Sequence, residues 1–579
     1  MLQVFLLDGY VDEPTCLGVP PYISPYPRYF AGAVWDADPH TRVSYATIDQ
    51  VRNDNSFIEK ISKSDVLVVI AGMSVPGRYL AGFPVSPNEL LSLLNGISKP
   101  VKLLCGPAAR YGFGLSGGKP VTGIEAVQNV FDVVVKGDGE IVLTELLKNN
   151  LKYETVEPSQ CRSNPHVIRN FAVKGARIVT QHPFYPMYLI TEIETYRGCS
   201  RSITGGCSFC SEPSKGTPSF RTVEDICAEV KALYETGIRH LRIGNQPCLF
   251  SYMAKDANES EYPQPNPEAL EHLFRGIRKV APELKTLHID NANPGIIARY
   301  PKESRHIAKT IIKYHTAGDV AALGVESVDP VVIKKNNLKA TAEEVYDAIA
   351  LLNEVGSQRG SNGLPELLPG LNFVFGLEGE SKDTFNLDYE FLKKIYDDNL
   401  MVRRINLRQV IPIPGTRMMQ VGERNIRKHK ADFQRFKRKV RQTIERLMLQ
   451  RLVPPATLLK ALYGETYEGK LTFARQLGSY PLLVGIPGVY PLHRFYDVKI
   501  VGYGYRSLTA VPFPLNVNTA PRETLEALPG IGKKRTIRIL AKRPFQTKQE
   551  FINAFDDPTI AQTIKEYIQF DEEKKMISE

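Results

Sequence analysis

Short runs of β-branched and aliphatic residues, separated by polar stretches with helical spacing, recur along the first two thirds of the chain. Near the start these are Gln3–Leu7, Val66–Ile70, Val101–Leu104 and Phe131–Val135. Continuous apolar runs of this length, with no alternation, predict strands buried on both faces of a parallel sheet. Each run ends in a glycine-bearing turn: Asp8-Gly9, Ala71-Gly72, Cys105-Gly106 and Gly137-Asp138-Gly139-Glu140. Residues 1–150 are thus expected to form a Rossmann-like unit, in which ligands bind beyond the carboxyl ends of the strands.

A second alternation of strands and helices runs over residues 185–415. Its strand-like pieces are Ile190–Ile193, His240–Ile243, Thr286–Ile289, Val320–Leu323, Leu371–Phe375 and Ile405–Val410. Helical patterns at 223–234, 342–355 and 384–396 lie between them. Six β/α units predict a partial, TIM-like (β/α)6 barrel, with its chemistry at the carboxyl ends of the strands.

Beyond the barrel the pattern changes. Residues 416–460 read as a basic helical linker: Arg417 to Arg451 holds twelve Lys or Arg against three acids. Phe433, Phe436, Val440, Ile444 and Leu447 recur every three or four residues and mark its packed face. Residues 461–515 predict a small β-rich unit, and 516–575 a pair of helices. The whole is an α/β multidomain chain of 579 residues, with 43% hydrophobic and 23% charged residues, too long for one core. Its formal net charge of +10 is modest, and the basic residues cluster toward the carboxyl end. The opening Met-Leu-Gln-Val-Phe-Leu-Leu-Asp lacks a basic lead and reads as a strand, not a signal peptide. No apolar run approaches the roughly 20 residues of a membrane span, so no membrane partner is expected. Eight cysteines, grouped in one place and otherwise scattered, suit a reducing cytoplasm.

That one group is the most informative chemistry in the chain. Cys199, Cys207 and Cys210 stand at C-x7-C-x2-C, directly after the first barrel strand. Thiolates are soft ligands, so the cluster points to zinc or an iron–sulfur centre. A structural zinc site needs a fourth ligand, and Cys227, Cys248 and His240 are isolated. Three ligands suit a 4Fe–4S cluster with one open iron, and a zinc knuckle or three unrelated thiols remain the alternative.

The segment resembles the cluster loop of radical S-adenosylmethionine (SAM) enzymes, with the aromatic Phe209 between the last two cysteines. The usual first spacing there is x3; here seven residues intervene, among them Ser202, Thr204, Gly205 and Gly206. The resemblance implies that Cys199, Cys207 and Cys210 bind three irons while SAM chelates the fourth. Gly244, Asn245 and Gln246 stand where the family holds the methionyl amine of SAM, and Glu326 and Ser327 where it contacts the ribose. Phe375-Gly376 and Pro412 follow the fifth and sixth strands and are expected to offer surface to the adenine. The residues 1–150 unit resembles the cobalamin-binding-like domain that precedes many such cores. The family's cobalt ligand, the His of D-x-H-x-x-G, is missing, since Asp36-Ala-Asp-Pro-His40 has the wrong spacing. Cobalamin is therefore a cofactor the chain has either lost or binds without a histidine. A methylthio transferase would need a second cluster, and Cys16, Cys105 and Cys161 stand in no ligand motif.

At the carboxyl end, Pro529-Gly530-Ile531-Gly532 between two helical patterns resembles the helix–hairpin–helix motif. The motif implies that the second helix offers its amino end to a phosphate, with Lys533, Lys534, Arg535 and Arg538 supplying charge. The implied function is an enzyme that cleaves SAM to a 5′-deoxyadenosyl radical and modifies tRNA or DNA, with ferredoxin or flavodoxin as electron donor. Two alternatives stay open. One is a radical SAM enzyme acting on a protein or metabolite, its hairpin a docking module. The other is a non-catalytic nucleic-acid-binding iron–sulfur protein.

Overall fold

The computed structural model describes every residue except Pro14, residues 74–81, Leu115, Asp556 and residues 570–579. The first unit is a parallel sheet in the order Arg42–Thr47, Gln3–Asp8, Val66–Ile70, Val101–Cys105, Val133–Val134. This is a doubly wound order, reversing at the first strand. Arg42–Thr47 escapes the hydrophobic pattern because, as an edge strand, it mixes polar and apolar positions.

The central unit carries all six expected strands, split between two sheets. Ile190–Glu194, His240–Gly244 and Thr286–His288 form one sheet. Asn291–Ala292, Asp319–Glu326, Leu367–Phe375 and Arg404–Gln409 form the other. The third strand is broken at Ile289–Asp290, and the break is bridged from the fourth. The Ile289 amide donates to the Asp319 carboxylate at 3.0 Å, and the Ala322 amide to the Asp290 carbonyl at 3.0 Å. A contribution from far upstream extends the first sheet: Tyr22–Ile23 pairs in parallel with Ile190–Thr191. The chain therefore enters the barrel before its own barrel sequence begins, which ties the first unit to the second.

Helices cover the outside of the barrel, and their starts are written locally. Thr341 accepts from the Glu344 amide while the Glu344 side chain returns to the Thr341 amide, opening helix Ala342–Gly356. Ser381 and Thr384 open Lys382–Asp397 with a reciprocal pair as well, and Thr222 caps Val223–Glu235 by accepting from the Asp225 amide.

The basic segment is one helical column, Lys430–Val440 and Arg446–Leu452, joined by a π turn at Arg441–Glu445. Phe433, Phe436, Val440 and Ile444 are buried as their spacing predicts, but Leu447 is 39% exposed. A π turn holds one extra residue and rotates the next helical turn about the axis, so Met448 takes the core position expected of Leu447.

Residues Leu458–Glu468, Leu471–Gln476, Leu483–Pro487, Phe495–Tyr503 and Ser507–Pro512 close a five-stranded barrel. The third and fifth strands pair in parallel and the others antiparallel, a Greek-key closure. Its loop at 477–481 plugs the base of the central barrel. The Ser479 amide donates to His288 Nδ1 at 2.8 Å, Tyr480 Oη to Asp290 at 2.5 Å, and Tyr22 Oη to the Gly478 carbonyl at 2.7 Å.

The last unit packs Leu525, Leu528, Ile531, Ile539, Phe551 and Ile564 around helices Arg522–Ala527, Lys533–Lys542, Lys548–Ile552 and Pro558–Ile564. Among the described residues no helix is long and apolar enough to cross a membrane.

Candidate active site

The three cysteines ride on one loop above the first barrel strand. Gly198 turns the chain there with φ +85°, and a Cβ would strike the Thr217 carbonyl, so only glycine fits. Cys199 comes next, its amide donating to the Gly216 carbonyl at 2.9 Å. The inserted residues Ser200–Thr204 coil into a single 3-10 turn, and the left-handed Gly205 and Gly206 bring the chain back to Cys207. The Cys210 amide donates to the Cys207 carbonyl at 3.2 Å.

Arg201, inside the insertion, was not singled out by sequence although it is the charged exception among small residues. It is buried beneath the loop. Its guanidinium donates to the Cys207 sulfur at 3.3 Å, to the Asn337 carbonyl at 2.9 Å and to Asn337 Oδ1 at 3.0 Å. Cys207 and Phe209 pack against Leu338, Leu377, Val410 and Met418, and Met418 donates its amide to the Ser208 carbonyl at 2.8 Å. Burial pushes the Cys199 thiol up to about 11, and those of Cys207 and Cys210 upward as well. Cys207 acts on both Cys199 and Cys210, and Lys339 and Arg201 counter the charge on Cys207.

Among the described residues no three His, Cys, Asp or Glu side chains converge as ligands of one ion. A cubane asks for something else, one thiolate per iron, arranged around a volume. The donor set, three thiols with cations beside them, fits such a cluster.

Glu326 and Asn245 flank this loop at two strand ends. Both adopt left-handed backbone, at φ +61° and +57°, a conformation uncommon for residues with a Cβ and concentrated at functional sites. Glu326 is buried, and its Oε2 accepts no hydrogen bond. Lys339 Nζ lies 3.7 Å from its other oxygen, and burial raises the carboxyl. A Cβ on Gly324 would run into both groups. Asn245 donates to Glu194 Oε2 at 2.8 Å, leaving its own Oδ1 buried without a donor. Burial opposes ionisation of Glu194, but Arg197 and Arg162 outweigh it and hold the carboxyl down at about 2. Two orphaned buried acceptors are what a methionyl ammonium and ribose hydroxyls require as partners.

The other expected contacts divide. Gly244 lies against the Glu192 carboxylate, and Gln246 bonds to Thr195 and to the Ile243 carbonyl. Ser327 turns away from Glu326: its hydroxyl donates to Asp388 at 3.2 Å and accepts from the Asp329 amide. Phe375 is also misassigned as an adenine surface. It stacks on Phe385 at 5.3 Å and meets Phe433 and Phe436 at 5.2 and 5.1 Å, on the helix-covered face of its strand. Strand alternation turns its neighbour Val374 inward instead, into the group that includes Cys207 and Phe209. Gly376, at φ +96°, donates its amide to Glu380 at 2.6 Å. Pro412 is buried, with its carbonyl accepting from the Val121 amide.

That last contact belongs to a lid. The first unit closes over the barrel mouth, and four of its contacts there mark the seam. They are loop 116–122 on residues 410–412, the Thr15 carbonyl on the Asn245 amide at 2.5 Å, Tyr111 on Ser214 at 2.8 Å, and Arg197 on Asp138 at 2.6 Å.

Residues 193–392 match the family model described as the Radical SAM superfamily. An uncharacterised protein of Methanocaldococcus jannaschii, MJ0274, is 48% identical over 88% of this chain and 92% of its own length. The chain belongs to that protein's family, and it is a radical SAM enzyme. The family's cofactors, a 4Fe–4S cluster and SAM, are those the cysteine loop and the orphaned acceptors fit. A tRNA-2-methylthio-N(6)-dimethylallyladenosine synthase of Ehrlichia canis is 24% identical over 35% of this chain and 40% of its own. The radical SAM methyltransferase TsrM of Kitasatospora setae aligns over 72% of this chain and 75% of its own, at 15% identity and a TM-score of 0.47.

Cobalamin meets a different environment in this radical SAM enzyme. His40 is exposed and lies beyond helix Pro25–Ala37, at the amino end of strand Arg42–Thr47, the wrong end for a cobalt ligand. At the carboxyl ends, ion pairs Arg110–Asp138 and Arg162–Glu140 border a pocket of about 20 Å³ and a more open one of about 460 Å³.

At the carboxyl end, Gly530 stands at φ +76° between helices Arg522–Ala527 and Lys533–Lys542, with Gly532 opening the second. Lys533 and Lys534 are exposed there, while Arg535 and Arg538 are half-buried, Arg535 donating to the Gly530 carbonyl at 2.9 Å.

Proposed function

We propose that this radical SAM enzyme modifies a nucleic acid, tRNA or DNA, at a C–H bond. The observation that carries the reading is the hairpin end, where unpaired helix amides and the exposed Lys533 and Lys534 share one surface. That combination favours a phosphate over other ligands. The basic column over residues 430–452 and the name of the tRNA-acting relative support it.

When bound, the cluster and SAM supply a 5′-deoxyadenosyl radical able to take a hydrogen atom from the substrate. The chain's part is placement and shielding. Cys199, Cys207 and Cys210 hold the cluster, with Arg201 and Lys339 balancing its sulfur charge. Asn245 Oδ1 and the carbonyls near Gly244 and Gln246 receive the ammonium of SAM. Glu326 Oε2 receives its ribose, while Val374, Gly376 and Pro412 border the adenine. The lid excludes water. The electron comes from a small donor protein of the ferredoxin or flavodoxin kind.

The test uses anaerobically reconstituted enzyme. About four irons per chain, with 5′-deoxyadenosine formed from SAM and dithionite and absent in a Cys199/Cys207/Cys210→Ala triple variant, is the expected base. tRNA binding should then weaken steeply with salt and be lost on charge reversal at Lys533 and Lys534, iron content being the folding control. Salt-independent binding, or none, overturns the nucleic-acid reading. A second reading, a protein substrate docked on the hairpin, draws on Ile537 and Leu540, which are 57% and 37% exposed on the same helix.

A further inference from the structure

A cavity of about 1050 Å³ lies away from both the carboxyl-terminal helices and the cysteine loop. It opens along Arg404–Gln409, the last strand of the central barrel. This strand is an edge: it pairs with Leu367–Phe375 on one side only. Across the gap stand the basic column, through Lys437 and Arg441, and the small barrel, through Phe473, Tyr480, Tyr505 and Arg506.

On the edge strand, Ile405 and Leu407 are buried, so Arg404, Asn406 and Arg408 share the opposite face. Asn406 donates to Asn372 Oδ1 at 3.1 Å, which sets that face inside the barrel. The register carries it upward: Arg408 pairs beside Val374, and the preceding Phe373 pairs beside Glu326. The cavity therefore reaches Arg408, which stands beside Val374 in the sheet.

Its walls are unbalanced in charge. Seven Lys or Arg side chains line it against Glu445 and Glu468. Glu445 is already shared between Arg506, at 3.3 Å, and Arg441, at 3.9 Å. Arg403 is buried with Nε unpartnered. Burial, reinforced by Arg408 and Arg506, pulls Arg404 down to about 10; burial and Arg404 pull Arg403 down to about 9. Lys437 is lowered by burial, Arg441 and Arg506. Cations pressed together at a cost leave a place where an anion would be strongly favoured.

The walls are also aromatic. Tyr505 is 53% exposed at the rim, and Tyr480 lies deeper with Arg404 stacked 3.8 Å over its ring. In five-stranded Greek-key barrels, oligonucleotides lie on the second and third strands and against the first and fourth connecting loops. Phe473, Leu483, Glu468, Tyr505 and Arg506 occupy those positions here.

We propose that this cavity is a nucleotide-binding cleft, which takes phosphates on Arg404, Lys437, Arg441 and Arg506 and a base against Tyr505 and Phe473. It rests on the nucleic-acid reading and deepens it: a single-stranded or splayed-out nucleotide of the substrate enters the barrel from this side, while the hairpin grips elsewhere. Stacking with charge, and no base-edge code, is the usual way single strands are held.

The experiment uses full-length reconstituted enzyme and a Lys437→Ala/Arg506→Ala variant, with iron content and thermal unfolding as controls. Three probes are titrated by fluorescence anisotropy or calorimetry: a labelled 12-nucleotide RNA single strand, an RNA hairpin duplex, and AMP with pyrophosphate. A 4-thiouridine version of the strand is photo-cross-linked and the site mapped by mass spectrometry. The variant should bind the strand about tenfold or more weakly, with the salt slope reduced by about 1.4 for two lost phosphate contacts. Duplex binding should change less, and cross-links should map to Tyr505 or Phe473 in the parent enzyme. Strand binding unchanged in the variant, with cross-links elsewhere, overturns the cleft while leaving the nucleic-acid reading intact. AMP binding that the variant loses, with no strand binding by the parent, supports the cleft as a free-nucleotide site and removes the nucleic-acid reading. No binding of any probe overturns both.

Discussion

Arg201 donates a hydrogen bond to the sulfur of Cys207 at 3.3 Å while the same guanidinium grips the Asn337 carbonyl and side chain. One of the seven residues between Cys199 and Cys207 thus anchors the loop to the turn after helix Pro330–Asn336 and places a charge on a cluster ligand. A hydrogen bond to a thiolate is charge-assisted and stronger than one to a thiol.

Arg201→Ala should accordingly weaken cluster retention rather than prevent loop closure. Reconstituted variant should lose iron to a chelator about tenfold faster or more, a difference of roughly 1.5–3 kcal/mol for a hydrogen bond to a charged group. Arg201→Lys keeps the charge but not the fork to Asn337, and should fall between. Iron loss at the parent rate in both would remove Arg201 from the site.

Glu326 makes a separate prediction, because its Oε2 accepts no hydrogen bond and is proposed to receive the ribose of SAM. Glu326→Gln should leave iron content unchanged and raise the SAM dissociation constant about tenfold to a hundredfold, by equilibrium dialysis. Loss of iron together with SAM would mean that the carboxylate supports the loop instead.

Phe375 and Val374 should separate cleanly. Phe375→Ala opens a hole among Phe385, Phe433 and Phe436 and should cost about 3–5 kcal/mol in denaturant unfolding, with SAM affinity retained in the folded fraction. Val374→Ala removes less volume but borders the cysteine loop, and should change SAM affinity more than stability.

Asp388 predicts a pH dependence. Burial pushes its carboxyl up to about 8, against hydrogen bonds from the Val328 amide and Ser327. The folded state then holds a proton that the unfolded chain releases near pH 4, so this group's contribution to stability falls as pH rises from about 4 to about 8. Asp388→Asn should flatten that part of the profile, read as the midpoint of denaturant unfolding at pH 5 and pH 8. An unchanged slope would show that Asp388 is ionised in the folded protein.

The sequence alone determined what local pattern can encode. Six barrel strands, the helices between them, the cysteine loop and a β-rich carboxyl region were legible because burial on both faces leaves unbroken apolar runs and helices repeat their apolar positions every three or four residues. The cysteines were legible because ligand chemistry restricts residue type. Strand Tyr22–Ile23 was not, because two residues carry no period and their partner, Ile190, lies far along the chain. The facing of Phe375 came from which side the helices cover, and the fate of Leu447 from one extra residue in a π turn. Only tertiary structure gathered Arg404, Lys437, Tyr480 and Arg506, drawn from four segments, around one cavity. Like charges on separate elements leave no mark on any one stretch of sequence; their mutual field exists only once packing has brought the elements together.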